Sequence, residues 1–550
     1  DMELGMINRG EHSEITTIKG DSVDSELSGN MIDICPVGAL TSKPFRYSAR
    51  TWELSRRKSI SPHDSTGANL IVQVKNHKVM RVVPLENEAV NECWIADRDR
   101  FSYEALNGPD RLTRPMLKQG GQWQEVDWQT ALEYVANGIK SVREKHGADA
   151  VGALVSPHST LEELFLASRL IRGLGSDSID YRLRHAEFTP FEGVRWLGTS
   201  IASLSTLQSV LVFGSNLRKD HPLFAQRIRQ AARHGCAVHS VNSVAYDWAM
   251  PVTTSVVVPA SGWMRMLAQI AAAVAEVKAI ELPKDIAETV GEPARAIAAS
   301  LLAGERKAIL LGNGAAHHAQ ASSILALVQW IATHTGATFG YLSEAANTVG
   351  AQFVGAQPLG KGFNAAEMLA GKVKAALLLN TEPTLDSVAG VRATLDLSAV
   401  DMVVTLSPFK TNLEFSDVLL PIAPFTETAG TFVNAEGRVQ SFHAVVKPLG
   451  ETRPAWKVLR VLGNLLEIPD MEWETAQDVL STVLGQENLQ NSHLPVHSLH
   501  NETSVPIHAQ AHECAEPVVA AIYQLDSLVR RSPALQKTVD AHVLSQGAAA

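Results

Sequence analysis

Residues Ser209–Val241 read SVLVFGSNLRKDHPLFAQRIRQAARHGCAVHSV. SVLVF, Ser209–Phe213, is a short apolar run that stops at the turn Gly214-Ser215-Asn216. The segment His221–His234 then has the spacing of an amphipathic helix and is closed by Gly235. CAVHSV, Cys236–Val241, is a second short run of strand type. A brief continuous apolar run bounded by turn residues reads as a strand covered on both faces. Two such strands joined through a helix read as a βαβ unit, whose strands are parallel.

The same cadence extends in both directions. Asp127 is placed to cap a helix whose apolar stripe is Trp128, Ala131, Leu132, Val135, Ile139 and Val142, ending at Gly147. AVGALVS (Ala150–Ser156) precedes Thr160–Glu163, a capping box, and a helix that stops near Gly173–Gly175. KAILL (Lys307–Leu311) leads through Gly312-Asn313-Gly314 into a helix with Ile324, Leu327, Val328 and Ile331 on one face. AALLL (Ala375–Leu379) leads into Asn380-Thr381-Glu382-Pro383, and MVVTL (Met402–Leu406) into Ser407-Pro408. The fold class is therefore α/β over residues 115–470, with two doubly wound, mostly parallel-sheet subdomains. Around it, residues 1–44 are loop-rich. Residues 45–114 form a small β domain with a hairpin of LIVQV (Leu70–Val74) and KVMRVV (Lys78–Val83). Thr431–Phe442 reads as a tight hairpin, and a helix follows over Ala455–Glu467 behind Pro454. Residues 471–519 lose periodicity and read as a linker, and 520–550 as a C-terminal tail.

Length and composition exclude several classes. The chain has 550 residues and is 45% hydrophobic, too long for one domain. Its net charge is −10 with Lys and Arg scattered, so no basic face marks a nucleic-acid partner. Apolar runs such as Leu267–Ala275 fall short of the roughly 18 residues a span requires, so no direct membrane insertion is expected. The four cysteines, Cys35, Cys93, Cys236 and Cys514, form no C-x-x-C and point to a reducing compartment. Position 1 is Asp, as expected of a piece of a longer polypeptide.

The turns Gly214–Asn216, Gly312–Gly314 and Asn380–Glu382 are of the kind that line ligand clefts at the carboxyl ends of strands, yet none is G-x-G-x-x-G or a P-loop. Gly and Asn also simply make turns. No Ser-His-Asp set announces itself, so no catalytic residue is assigned, and His317-His318 reads as a solvated pair at a helix start. His493, His497, His500, His508 and His512 have metal-like spacing, but Pro495 and Pro506 break any helix that could align them. The stretch Ile34–Thr41, ICPVGALT, carries a Cys-Pro of the type that closes many iron–sulfur motifs, without the upstream cysteines.

ELGMINRGEHSEI, SELSGNMIDICPVGALTSKPF, DVLLPIAPFTETAGTFVNAEGRVQSF and YQLDSLVRRSPALQKT together resemble the G subunits of bacterial NADH-quinone oxidoreductase, respiratory complex I. The resemblance covers about 1–467 and 520–540. It implies that Cys35 is the fourth metal ligand of a 4Fe–4S cluster, that residues 1–44 end a ferredoxin-like Fe–S domain, and that a 2Fe–2S and a second 4Fe–4S centre belong to a region upstream of this chain. The α/β part resembles molybdopterin oxidoreductases. Their small β domain holds a further 4Fe–4S cluster with spacing C-x2-C-x3-C-x27-C. In this chain that pattern falls on Ser61, Asp64, Ala68 and Ala96, none of them Cys, so the cluster is expected to be absent and Cys93 to be an ordinary small apolar residue. Molybdenum is not expected. The resemblance further implies a role in carrying electrons from NADH through Fe–S clusters toward quinone, with the α/β part as scaffold. Its expected partners are other peripheral-arm subunits, at the cytoplasmic side of the bacterial inner membrane. The competing expectation is an independent molybdopterin-dependent oxidoreductase of formate or nitrate type.

Overall fold

A computed structural model of the chain describes residues 4–17, 22–283, 286, 289–489, 492–507 and 514–542. His508 and His512 of the His-rich stretch lie outside them.

The chain opens with a hairpin of β1 (Leu4–Ile7) and β2 (Glu14–Thr17), then the short helix Asn30–Ile34 that delivers Cys35. The small β domain is an antiparallel sheet of β3 (Ser55–Ile60), β4 (Asn69–Lys75) and β5 (Lys78–Pro84), followed by the helix Asp97–Phe101. Leu70, Val72 and Val82 alternate into its core against Ile95 and Phe432.

Strands β6 (Met116–Gln119), β7 (Gln122–Glu125), β8 (Val151–Val155) and β9 (Ile179–Asp180) begin a larger sheet. The chain leaves it to build a second one from β10 (Ser209–Phe213), β11 (Ala237–Asn242), β12 (Thr254–Val257), β13 (Lys307–Leu311) and β14 (Thr338–Tyr341). It returns with β15 (Ala375–Leu379), β16 (Met402–Ser407) and β17 (Val418–Pro421), then the hairpin β18 (Gly430–Val433) and β19 (Val439–Phe442). The second sheet is parallel throughout, in the order β12-β11-β10-β13-β14. The first runs β7-β6-β17-β16-β15-β8-β9, parallel except for β6 and β7. Both are the doubly wound, mostly parallel sheets expected. β8, β10, β13, β15 and β16 are buried along their whole length because helices cover both faces.

The local signals act as read. Asp127 accepts from the Thr130 N–H at 2.9 Å, and Thr160 and Glu163 exchange capping bonds. Three readings are corrected. The described residues of 471–519 are no free linker: the helix Ala476–Leu484 buries Val479, Leu480 and Leu484, and Leu494 packs beside them. The Asn501 side chain accepts from the Trp196 N–H at 2.9 Å and donates to the carbonyls of Trp196 and Phe339 at 3.1 and 2.8 Å. His317 and His318 are buried, not solvated, because the first lies under the cleft and the second stacks on Trp263. Cys93 is exposed rather than packed, while Cys236 is buried.

Candidate metal centre and cleft

Cys35 follows the helix Asn30–Ile34, and its own N–H bonds back to the Met31 carbonyl at 3.2 Å. The turn that follows brings the Leu40 N–H to 3.5 Å from the sulfur. That N–H, with those of Val37, Ala39 and Gly38, outweighs desolvation and holds the thiol below its ordinary pKa. Gly38 has φ +66°, a conformation that lets the backbone curl round the sulfur. A thiolate cradled by N–H donors is the form that iron binds. No group of three or more His, Cys, Asp or Glu among the described residues is arranged to hold a metal, so Cys35 fits a cluster as one donor beside others not found there.

The Cys35 turn is fastened to the small β domain. Asp97 accepts from the Gly29 N–H at 2.7 Å and the Ser28 hydroxyl at 2.6 Å, and Asn30 pairs with Ile95 through both backbone groups. Burial raises Asp97 to about 6, against the pull of these donors. Arg100 reaches Asp33, on the helix that precedes Cys35.

The four positions of the second cluster pattern do come together, and they are filled. Asp99 accepts from the Ser61 hydroxyl at 2.5 Å and from the Ala96 N–H at 3.0 Å, while the Ser61 N–H bonds to the Ala68 carbonyl at 2.9 Å. Asp64 is ion-paired with Arg98, which also donates to the Asp220 carbonyl at 2.7 Å. Arg98 is 1% exposed and Asp64 likewise 1%. Burial pushes the Asp64 carboxyl up, but the guanidinium outweighs it and the net shift is downward. Beside them His63 bonds Asp526 of the tail at 2.6 Å and Ser102 at 2.7 Å. With two alanines, no sulfur and an ion pair in the space, these residues do not fit a cluster. Periodicity could not find Arg98 and Asp99, because a charged D-R-D-R run reads as a solvated helix end.

The turns Gly214–Asn216 and Gly312–Gly314 lie at the switch point of one sheet and Asn380–Glu382 at that of the other, where strand order reverses. Between β10 and β13, the Gly314 N–H bonds the Gly214 carbonyl at 2.8 Å, and a Cβ on Gly312 would stand 2.2 Å from the Ser215 Cβ. The glycines permit that close approach, and a cavity of about 310 Å³ lies above them under residues 517–522. Between β8 and β15, Asn380 has φ +51° and donates to the Ser159 hydroxyl at 2.9 Å. A second cavity, of about 120 Å³, opens among segments following β8, β9, β13 and β14. Its carboxylates are engaged: Asp386 by Arg184 and Arg530, Glu344 by Arg184, Glu187 by Ser322. It offers no thiol, and its volume is below the roughly 300 Å³ of a usual ligand site. The residues of this second cavity do not fit a molybdenum–pterin group.

This pair of doubly wound sheets with its cleft at the strand ends defines the class. The family model described as molybdopterin oxidoreductase matches residues 111–465, and the chain belongs to that family. Residues 1–41 match the ferredoxin-like domain of NADH-quinone oxidoreductase subunit 3, and 54–104 match the 4Fe–4S domain described as NADH-ubiquinone oxidoreductase NDSU1/NuoG-like. Among individual proteins, the chain is similar to the G subunit of the NADH-quinone oxidoreductase of Rickettsia felis, 31% identical over 484 residues, covering 87% of this chain and 65% of that protein. The G subunit of the Rickettsia prowazekii enzyme is 28% identical over 549 residues, 98% of this chain and 74% of the relative. The NADH-ubiquinone oxidoreductase 75 kDa subunit of Reclinomonas americana is 28% identical over 505 residues, with coverage of 87% and 66%. The chain thus spans about 65% of the first of these relatives. Among solved structures, acetylene hydratase from Pelobacter acetylenicus superposes with a TM-score of 0.54 at 14% identity, covering 80% of this chain and 74% of that one, a likeness of fold alone.

Proposed function

We propose that this chain is the larger part of the G subunit of an NADH-quinone oxidoreductase, and that it serves electron transfer from NADH toward quinone within the peripheral arm. The observation that carries the reading is the likeness to such G subunits along nearly the whole chain, with Cys35 inside the segment that matches a ferredoxin-like domain. Cys35 supplies one thiolate to a 4Fe–4S cluster. The remaining thiolates, a 2Fe–2S centre and a second 4Fe–4S centre come from the rest of the polypeptide. Residues 1–44 are the end of that Fe–S domain, 45–114 a β domain that carries no cluster, and 115–470 a scaffold that works without molybdenum.

No described helix is long and apolar enough to cross a membrane. The partners are other peripheral-arm subunits, and the protein is held through them at the cytoplasmic face of the inner membrane. Affinity purification of the tagged native protein tests this. The expected result is recovery of flavin- and Fe–S-containing partners with NADH-quinone activity and no stoichiometric molybdenum. Recovery of a free molybdenum enzyme would overturn it.

A further inference from the structure

The small β domain carries a surface of opposite sign to the chain as a whole. Residues 43–58 hold six cations, Lys43, Arg46, Arg50, Arg56, Arg57 and Lys58, against one acid, Glu53, on a chain of net charge −10. All six are exposed, and none makes an ion pair among the described residues. Glu53 is itself taken by Lys75 at 2.9 Å. Two aromatic side chains stand among these cations: Tyr47 is 98% exposed and Trp52 82%. Tyr47 also has φ +64°, a conformation that a bulky residue seldom adopts.

The fold gathers them on one side of the sheet. β3 is an edge strand, with Arg56 opposite Gln73 and Gln73 opposite Arg81. Cross-strand partners point to the same side, and so does Lys58, two residues on from Arg56. The segment before β3 is tied to that side twice. The Arg81 guanidinium lies 4.5 Å from the centre of the Phe45 ring, and Glu53 pairs with Lys75, two residues on from Gln73. Tyr47 and Trp52, between the two ties, are thus held beside Arg56 and Lys58. Surface charge alone is ordinarily solvated and needs no partner. An exposed Trp and Tyr among arginines is the composition of a binding hot spot, and the guanidinium fork takes a carboxylate through two bonds. A membrane or a nucleic acid, being an extended polyanion, would also meet the negative charge of the rest of the chain. A short acidic segment would meet the patch alone.

We propose that this face docks an acidic segment of a neighbouring subunit, its carboxylates on the arginines and an apolar side chain against Tyr47 and Trp52. The inference rests on the chain's place in a multisubunit assembly. The test couples lysines to adjacent carboxylates with a carbodiimide in the purified native complex and identifies the linked peptides by mass spectrometry. Lys43 or Lys58 should be joined to an Asp- or Glu-rich stretch of another subunit. The double variant Trp52→Ala/Arg56→Glu should lower incorporation of the chain into the complex by at least about tenfold, since it removes an aromatic anchor and reverses a charge. Its thermal transition should match the parent's, because both side chains are exposed. If that variant fails to fold, the linked peptides of the unaltered complex still decide. A complex recovered with these lysines linked only within this polypeptide, or not at all, would overturn the proposal and leave the assembly reading intact. A chain recovered without partners would overturn both. Undiminished incorporation of a folded double variant, or binding of the parent chain to phosphatidylglycerol vesicles that the variant loses, would also overturn the proposal.

Discussion

Replacing Arg98 by Met tests whether the ion pair in the vacated cluster position holds the small β domain together. Arg98 and Asp64 are both almost wholly buried, and Arg98 also satisfies the Asp220 carbonyl. The variant leaves Asp64 with the Thr66 N–H, at 2.9 Å, as its remaining hydrogen bond. Stranding one partner of a buried pair costs about 3–5 kcal/mol. The orphaned Asp220 carbonyl would add about 1–3 kcal/mol if nothing else reached it. At roughly 2–4 °C per kcal/mol for a unit of this size, the transition carrying the β domain should fall by at least about 6 °C in a calorimetric scan. The double variant Asp64→Leu/Arg98→Met removes both charges. It should recover to within about 2 kcal/mol of the parent, because an apolar pair of similar size is often no worse than a buried ion pair. A single variant within about 1 kcal/mol of the parent, or a double variant as weak as the single, would refute the reasoning.

Two further outcomes follow from the same contacts. Burial would lower the His63 pKa, but the Asp526 carboxylate outweighs it and raises the value above 6.5. Asp526 is in turn held well below the ordinary carboxylate range by His63 against its own burial. The pair's contribution is therefore lost as pH falls below about 3.8 and as it rises past 6.5 through the raised His63 value. His63→Gln should flatten the loss of thermal stability above pH 6.5; an unchanged slope contradicts the pairing. Asn501→Ala removes three partly buried bonds and should cost about 2–4 kcal/mol by denaturant titration, whereas a free linker would show no change.

How much of this was legible depends on which force built each part. Parallel strands buried on both faces leave continuous runs such as KAILL and AALLL, and caps such as Thr160–Glu163 are local, so both read directly from sequence. The antiparallel β6–β7 edge and the strand order depend on tertiary pairing and leave no such mark. Residues 492–507 pack through single leucines and through Asn501 bonding distant backbone, which has no period to detect. At the candidate site, Cys35 was visible through its Cys-Pro context. The charges that surround Asp64 in the second cluster pattern, Arg98 and Asp99, were not, because buried ion pairs look like surface charge until the fold brings them together.

The role of Cys35 as a cluster ligand in an electron-transfer protein is the claim on which the rest depends. Its sulfur is already placed among backbone N–H donors that favour the thiolate. The most direct measurement is low-temperature electron paramagnetic resonance, with iron content, on the reduced native complex carrying Cys35→Ala. Loss or clear alteration of one tetranuclear signal, with the other centres intact, is the predicted result. All cluster signals and iron at parental levels would make Cys35 structural and contradict that role.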